Sequence, residues 1–109
     1  MATIFAKKST SDHILVQAFP TAKAKGETCT FGSLVGFSDY TTAQGAEGTV
    51  NVGKQIAVFQ IARDGVTAAI GTDVYIASDG TLTTTVGSNK LLGTVVVVGP
   101  DTYDVAITG

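Results

Sequence analysis

Residues 91–98, Leu91-Leu92-Gly93-Thr94-Val95-Val96-Val97-Val98, decide the reading of this chain. The run is apolar apart from Gly93 and Thr94 and is rich in β-branched valine, which packs well on a pleated surface. A short apolar run bounded by turn residues reads as a strand buried on both faces. Gly99-Pro100-Asp101 breaks it. Tyr103, Val105 and Ile107 then alternate with Asp104, Ala106 and Thr108, the period-two signature of a following strand.

The same grammar extends towards the N-terminus. Residues 73–77 read as a strand and 81–86 as its returning partner. Ser78-Asp79-Gly80 turns between them, because Asp-Gly tolerates the positive φ of a tight hairpin. Gly87-Ser88-Asn89 turns again before the apolar run. Residues 13–19 put Ile14, Val16 and Ala18 on one face, and Pro20 ends that strand. Residues 28–31 place Cys29 and Phe31 together, and Leu34, Val35 and Phe37 continue the apolar pattern past Gly32. Residues 40–48 are polar and glycine-containing, hence a loop. Residues 49–52 alternate, and 55–61 set Ile56 and Val58 on one face against Ala57, Phe59 and Ile61 on the other. Gly65 and Gly71 allow at most one short helical turn over 62–72. The expected fold is therefore all-β: one small sandwich or barrel, jelly-roll-like, over residues 13–109, preceded by an N-terminal arm over 1–12.

Composition narrows the class. The chain has 109 residues, a net charge of −2 and only 15% charged residues, well below the usual quarter. Hydrophobic residues make up 44%, against a disordered chain. Seventeen Thr, 13 Val and 13 Gly supply strands and turns. No apolar run approaches the roughly 18 residues of a membrane helix. The start, MATIFAKKSTSDH, lacks the apolar stretch of a signal peptide, so synthesis in the cytoplasm is expected. One cysteine, Cys29, excludes an intrachain disulfide and a cysteine-clustered metal site. A domain of this size with so few charges has an apolar surface, and such surfaces usually meet another copy or a partner.

Charge is uneven. Residues 1–25 hold Lys7, Lys8, Lys23 and Lys25 against Asp12 alone, while the remainder is acidic. Four scattered lysines do not make the clustered basic face of a nucleic-acid-binding protein. Two readings of the arm stand side by side: a solvated, mobile segment, or a segment that docks on an acidic surface of a neighbour.

Motifs of catalysis are sparse. Gly48-Thr49-Val50-Asn51-Val52-Gly53-Lys54-Gln55 approaches the phosphate-binding loop, but Gln55 stands where a hydroxyl residue is needed, and the flanking sequence reads as strand on both sides. His13 is the only histidine and has no cysteine or second histidine to join it on a metal. Nucleophilic catalysis would need His13 beside Cys29 or a serine, with an orienting acid. Asp73, Asp79, Asp101 and Asp104 sit at strand starts and turns, where aspartate commonly bonds local backbone. Phe31, Phe37, Phe59, Tyr75 and Tyr103 fall at strand positions expected to be core or interface. No catalytic residue, metal or cofactor is expected.

An ordered set of strings adds a resemblance. Residues 46–52 (Ala-Glu-Gly-Thr-Val-Asn-Val), 69–75 (Ala-Ile-Gly-Thr-Asp-Val-Tyr), 81–85, 87–93 (Gly-Ser-Asn-Lys-Leu-Leu-Gly) and 105–109 cover, in spacing, roughly residues 26–109. Together they resemble the head decoration, or capsid cement, proteins of tailed phages, a family that also carries a phage recombinase label. The near-match at Gly48–Gln55 lends that label no support. Members often show Gly-Asp before the first strand, where this chain has Ser11-Asp12. The resemblance implies a non-catalytic homo-dimer or homo-trimer on the outer surface of the virion head. There it would bind the major capsid protein, with no nucleic acid and no membrane as partner. Phe5, Lys7, Lys8, Lys23 and Lys25 are the expected contact residues. Other phage β subunits, of the tail tube or the head–tail joint, and a nucleotide- or DNA-binding recombination factor are the alternatives.

Overall fold

A computed structural model describes residues 4–63 and 65–108, with side chains from residue 6 onward. Its described residues form eight strands: β1 (Ile4–Val16), β2 (Thr28–Phe31), β3 (Leu34–Ser38), β4 (Gly48–Ala62), β5 (Asp73–Ile76), β6 (Leu82–Thr83), β7 (Lys90–Val98) and β8 (Thr102–Ile107). All pair antiparallel in one curled sheet of order β2-β3-β4-β8-β7-β5-β6, with β1 on β4. The all-β expectation holds, and the sheet is a half-barrel. The Gln17 N–H donates to the Val96 carbonyl at 2.9 Å, and Gln17 Oε1 accepts from the Val98 N–H at 2.9 Å, bringing the end of β1 against β7.

Long strand β4 makes the curl. Its first part pairs with β3 at Val50 and Asn51, its last part with β8 over residues 58–62, and β1 follows it throughout. Between them the register slips: His13 faces Asn51 but Ser11 faces Ile56. The extra residues bulge out around Gly53, whose φ of 72° is costly for residues with a Cβ. The Asn51 side chain accepts from the Gly53 N–H at 2.9 Å and pins the bulge. The phosphate-loop near-match is thus the first half of a bent strand that runs on to Ala62, not a loop that opens a helix.

Both faces of the sheet bury apolar side chains. One cluster gathers Ile14, Val16, Phe19, Cys29, Phe31, Leu34, Val50, Ile56, Val58, Val96 and Ala106. Phe19 and Phe31 meet edge to face there, 5.1 Å between centroids. A second cluster, on the opposite face of β8 and β7, holds Ile61, Val74, Leu82, Val95, Tyr103 and Val105. Val66, Ala68 and Ile70 of the β4–β5 connection cover it. The buried Tyr103 hydroxyl accepts from the Ala68 N–H at 2.8 Å and donates to the Val66 carbonyl at 2.9 Å, which ties that cover down. Thr94, Val95 and Val96 are all fully buried, as the apolar run predicts.

Two expectations differ from what is seen. Residues 4–12 are not a free arm: they form the first part of β1, hydrogen-bonded to β4 from Ile61 to Ile56, so no boundary falls at residue 12. The returning strand at 81–86 shrinks to Leu82–Thr83. Its threonines bond locally instead: Thr83 Oγ1 accepts from the Thr85 N–H at 3.1 Å, and the Asn89 amide donates to the Thr85 carbonyl. The described residues of 62–72 contain no helix, within the expected limit of at most one short helical turn, with φ of 77° at Gly65 and 85° at Gly71. The 78–80 turn stands as expected, closed by the Gly80 N–H on the Ala77 carbonyl at 2.9 Å.

Candidate interaction surface

Strand β3 decides what the half-barrel shows to its surroundings. Leu34, Gly36 and Ser38 point inward and are buried, so period two sends Val35 and Phe37 outward. They are 55% and 57% exposed, unusual values for large apolar side chains in the middle of a sheet. Gly36 holds β3 close to β4: a Cβ there would overlap the Asn51 carbonyl oxygen and crowd the Val50 side chain. Phe37 is therefore displayed from a strand packed close against β4. Opposite it in register stand Thr28 of β2 and Asn51 of β4, and Thr30 stands opposite Val35. Both threonines are exposed. A groove of about 500 Å³ runs through this face, lined by Lys25, Thr28, Val35, Phe37, Asp39 and Asn51 among others. In the loop that follows, Ser38 Oγ and Thr42 Oγ1 both donate to the Tyr40 carbonyl, at 2.6 and 3.0 Å, and Tyr40 itself is 67% exposed.

Next to the groove His13 Nδ1 lies 2.7 Å from Asp39 Oδ2, joining β1 to the loop after β3. Its Nε2 is 3.4 Å from Asp12 Oδ1. The hydrogen bond to Asp39 raises the His13 pKa above its ordinary value, and the charges of Asp39 and Asp12 add to the rise against some desolvation. Both ring nitrogens thus face carboxylates. Cys29 is buried, and burial pushes its thiol pKa up, the wrong direction for a nucleophile. Asp79 is engaged locally, as expected, whereas Asp73 bonds residues remote in sequence. Asp73 accepts from the Ser33 N–H and hydroxyl and from the Thr94 hydroxyl at 2.8–2.9 Å, stapling the β2–β3 turn to β5 and β7. Asp79 accepts from the Thr81 hydroxyl and N–H, and those bonds lower its pKa. Among the described residues no group of three or more His, Cys, Asp and Glu could hold a metal.

The contact residues expected from sequence fall into separate places. Lys7 and Lys8 are exposed on β1, where residues 6–10 lie open on both faces. Lys8 lines a smaller groove of about 310 Å³ with Leu15, Val58, Val96, Val97 and Asp104. Partial burial raises the Asp104 pKa, and Lys8 opposes that rise. Lys23 forms a backbone bridge with Thr42 and brings Nζ within 3.7 Å of Glu27. Lys25 lines the Phe37 groove. The side chain of Phe5 lies outside the described residues. Sequence reading put Phe37 at a core or interface position, and the structure makes it surface. The signal was the small Gly36 and Ser38 on the alternate positions, which mark the inward face.

No helix among the described residues is long and apolar enough to cross a membrane. No family model, curated protein or solved structure matches the chain.

Proposed function

We propose that this chain is a non-catalytic structural subunit that binds the outside of a tailed-phage head and braces neighbouring major capsid proteins. The observation that carries the reading is the β face with Val35 and Phe37 more than half exposed and no charge between them. Such a face gains free energy only by being covered. The resemblance over residues 26–109 supplies the kind of partner, and the low charge of the chain agrees with a life inside an assembly. On a lattice each contact can be weak, because many copies act together. The exposed Lys7 and Lys8 on the edge strand β1 give the subunit a basic rim to set against an acidic capsid surface.

The test is addition of purified protein to expanded heads that lack it, followed by imaging. New density spread over the capsid faces supports the reading. Signal confined to the tail or portal favours a tail-tube or joining subunit, and clear ATP or DNA binding at low salt favours a recombination factor. Exchanging Lys7 and Lys8 for glutamate is expected to weaken head binding without unfolding the chain. Deleting residues 2–12 is a poorer test, because it strips β4 of its β1 partner from Ile56 to Ile61.

A further inference from the structure

We propose that residues 4–12 are a strap that lifts off β4 as one unit, hinged at residues 11–13 and latched there by His13. The two halves of β1 are held differently. From His13 to Val16 the strand is anchored in the core, with Ile14 and Val16 fully buried. Over residues 6–12 no side chain is buried, so backbone bonds to β4 do the holding. A segment with few buried apolar contacts opens locally before the rest of a domain. The ladder itself breaks at the join. Ser11 faces Ile56 and His13 faces Asn51, so Asp12 on one strand and residues 52–55 on the other have no partner across the ladder. Each bulge is pinned from within its own strand: the His13 N–H donates to Ser11 Oγ at 3.0 Å, and the Gly53 N–H to the Asn51 side chain at 2.9 Å. Two further slips, between Ile4 and Ala6 and between Lys7 and Ser9, interrupt the outer ladder. β4 keeps its place without the strap, because its other edge pairs with β8 over residues 58–62.

The latch is the cluster at the hinge. His13 Nδ1 lies 2.7 Å from Asp39 Oδ2, on the loop after β3, and Nε2 lies 3.4 Å from Asp12 Oδ1, at the root of the strap. An imidazolium has two N–H groups, one for each carboxylate, and so ties the root to the body of the sheet. A neutral imidazole has one. With that one given to Asp39, the other nitrogen turns a lone pair towards Asp12 and the tie is lost. Opposite on β4 stands Asn51, which is uncharged. The hydrogen bond to Asp39, joined by the charges of Asp39 and Asp12, raises the His13 pKa, so the latch is present at low pH and is lost as pH rises through that raised value. The strap's other charges are Lys7 and Lys8. Asp104 of β8 lines the groove beside Lys8, with no ion pair between them among the described residues. Lifting the strap bares the edge of β4 from Ile56 to Ile61 and frees both lysines to reach beyond the sheet.

The experiment is native-state amide exchange of the full chain, read by NMR between about pH 5 and pH 8 with the intrinsic rates divided out. The bonded amides of residues 4–12 are expected to share one opening equilibrium, about 10-fold or more above the opening of β8, Ile14 and Val16. That equilibrium is expected to rise severalfold from the acid to the alkaline end of the range. In His13→Gln, a change at an exposed position, it should stand near its alkaline level throughout and lose its pH dependence. Asp104→Asn, which removes the carboxyl beside Lys8, should keep the pH dependence. Strap amides that exchange only together with β8, or only together with Ile14 and Val16, overturn the hinge. An opening that ignores pH, or a pH dependence that survives in His13→Gln or vanishes in Asp104→Asn, overturns the latch.

Discussion

Two apolar faces of the same sheet meet opposite fates. On β8 and β7 the second face carries Tyr103, Val105 and Val95, and the β4–β5 connection folds over it. Tyr103 fastens that cover with its hydroxyl, and the Arg63 guanidinium lies 4.6 Å from its ring centroid. On β3 the outward face carries Val35 and Phe37 and stays bare. The chain thus has the means to cover a sheet face and uses it at one place. It is this uncovered apolar face that carries the proposed function.

The largest effects are expected on the covered face. Tyr103→Ala removes a fully buried ring and is expected to cost about 3–5 kcal/mol in urea unfolding. Tyr103→Phe keeps the ring and removes only the clasp. It leaves the Ala68 N–H and the Val66 carbonyl without that partner and is expected to cost about 1–3 kcal/mol. Amide exchange over residues 66–70 should then rise ahead of the β8 core.

A smaller effect sits at the rim of the bare face. The His13 pKa, followed by NMR, is expected above 6.5, and Asp39→Asn should bring it down. Because the folded-state value is raised, the stability from this contact is fully present below the unfolded pKa and is lost as pH rises through the folded pKa. The difference in stability between the native chain and His13→Gln should therefore shrink from pH 5 to pH 8. The smallest change is expected for Phe37→Ala: on dilute monomer its unfolding free energy should move by no more than about 0.5 kcal/mol, as at other surface positions. A loss like that of Tyr103→Ala would mean that Phe37 is core and not surface.

Much of this fold was legible in the residues. The 91–98 run predicted a strand buried on both faces, and Thr94, Val95 and Val96 are fully buried. The alternation at 55–61 separated Ile56 and Val58 from Phe59 and Ile61, which the structure assigns to different clusters. Less was legible where partners are remote. Residues 4–12 looked like an arm because Lys7, Lys8 and the polar residues 9–12 show no apolar alternation. They are held by backbone bonds to β4 instead, and such bonds leave no trace in side-chain pattern. Residues 81–86 looked like a strand, yet at the sheet's edge the threonine side chains competed for their own backbone. The expected contact lysines were grouped by closeness in sequence, and the curl of the sheet puts Lys8 and Lys25 in different grooves.

By itself the sequence determined the fold class, the turns and which residues alternate, because these depend on local backbone preference and side-chain period. The tertiary structure alone decided which apolar face is covered. Leu34, Val35 and Phe37 are equally apolar on paper. Only the approach of Gly36 to the Asn51 carbonyl, and the absence of any chain over β3 among the described residues, makes Phe37 a surface and Leu34 a core. Burial depends on what lies opposite, and for β2, β3 and β8 what lies opposite is far away in sequence.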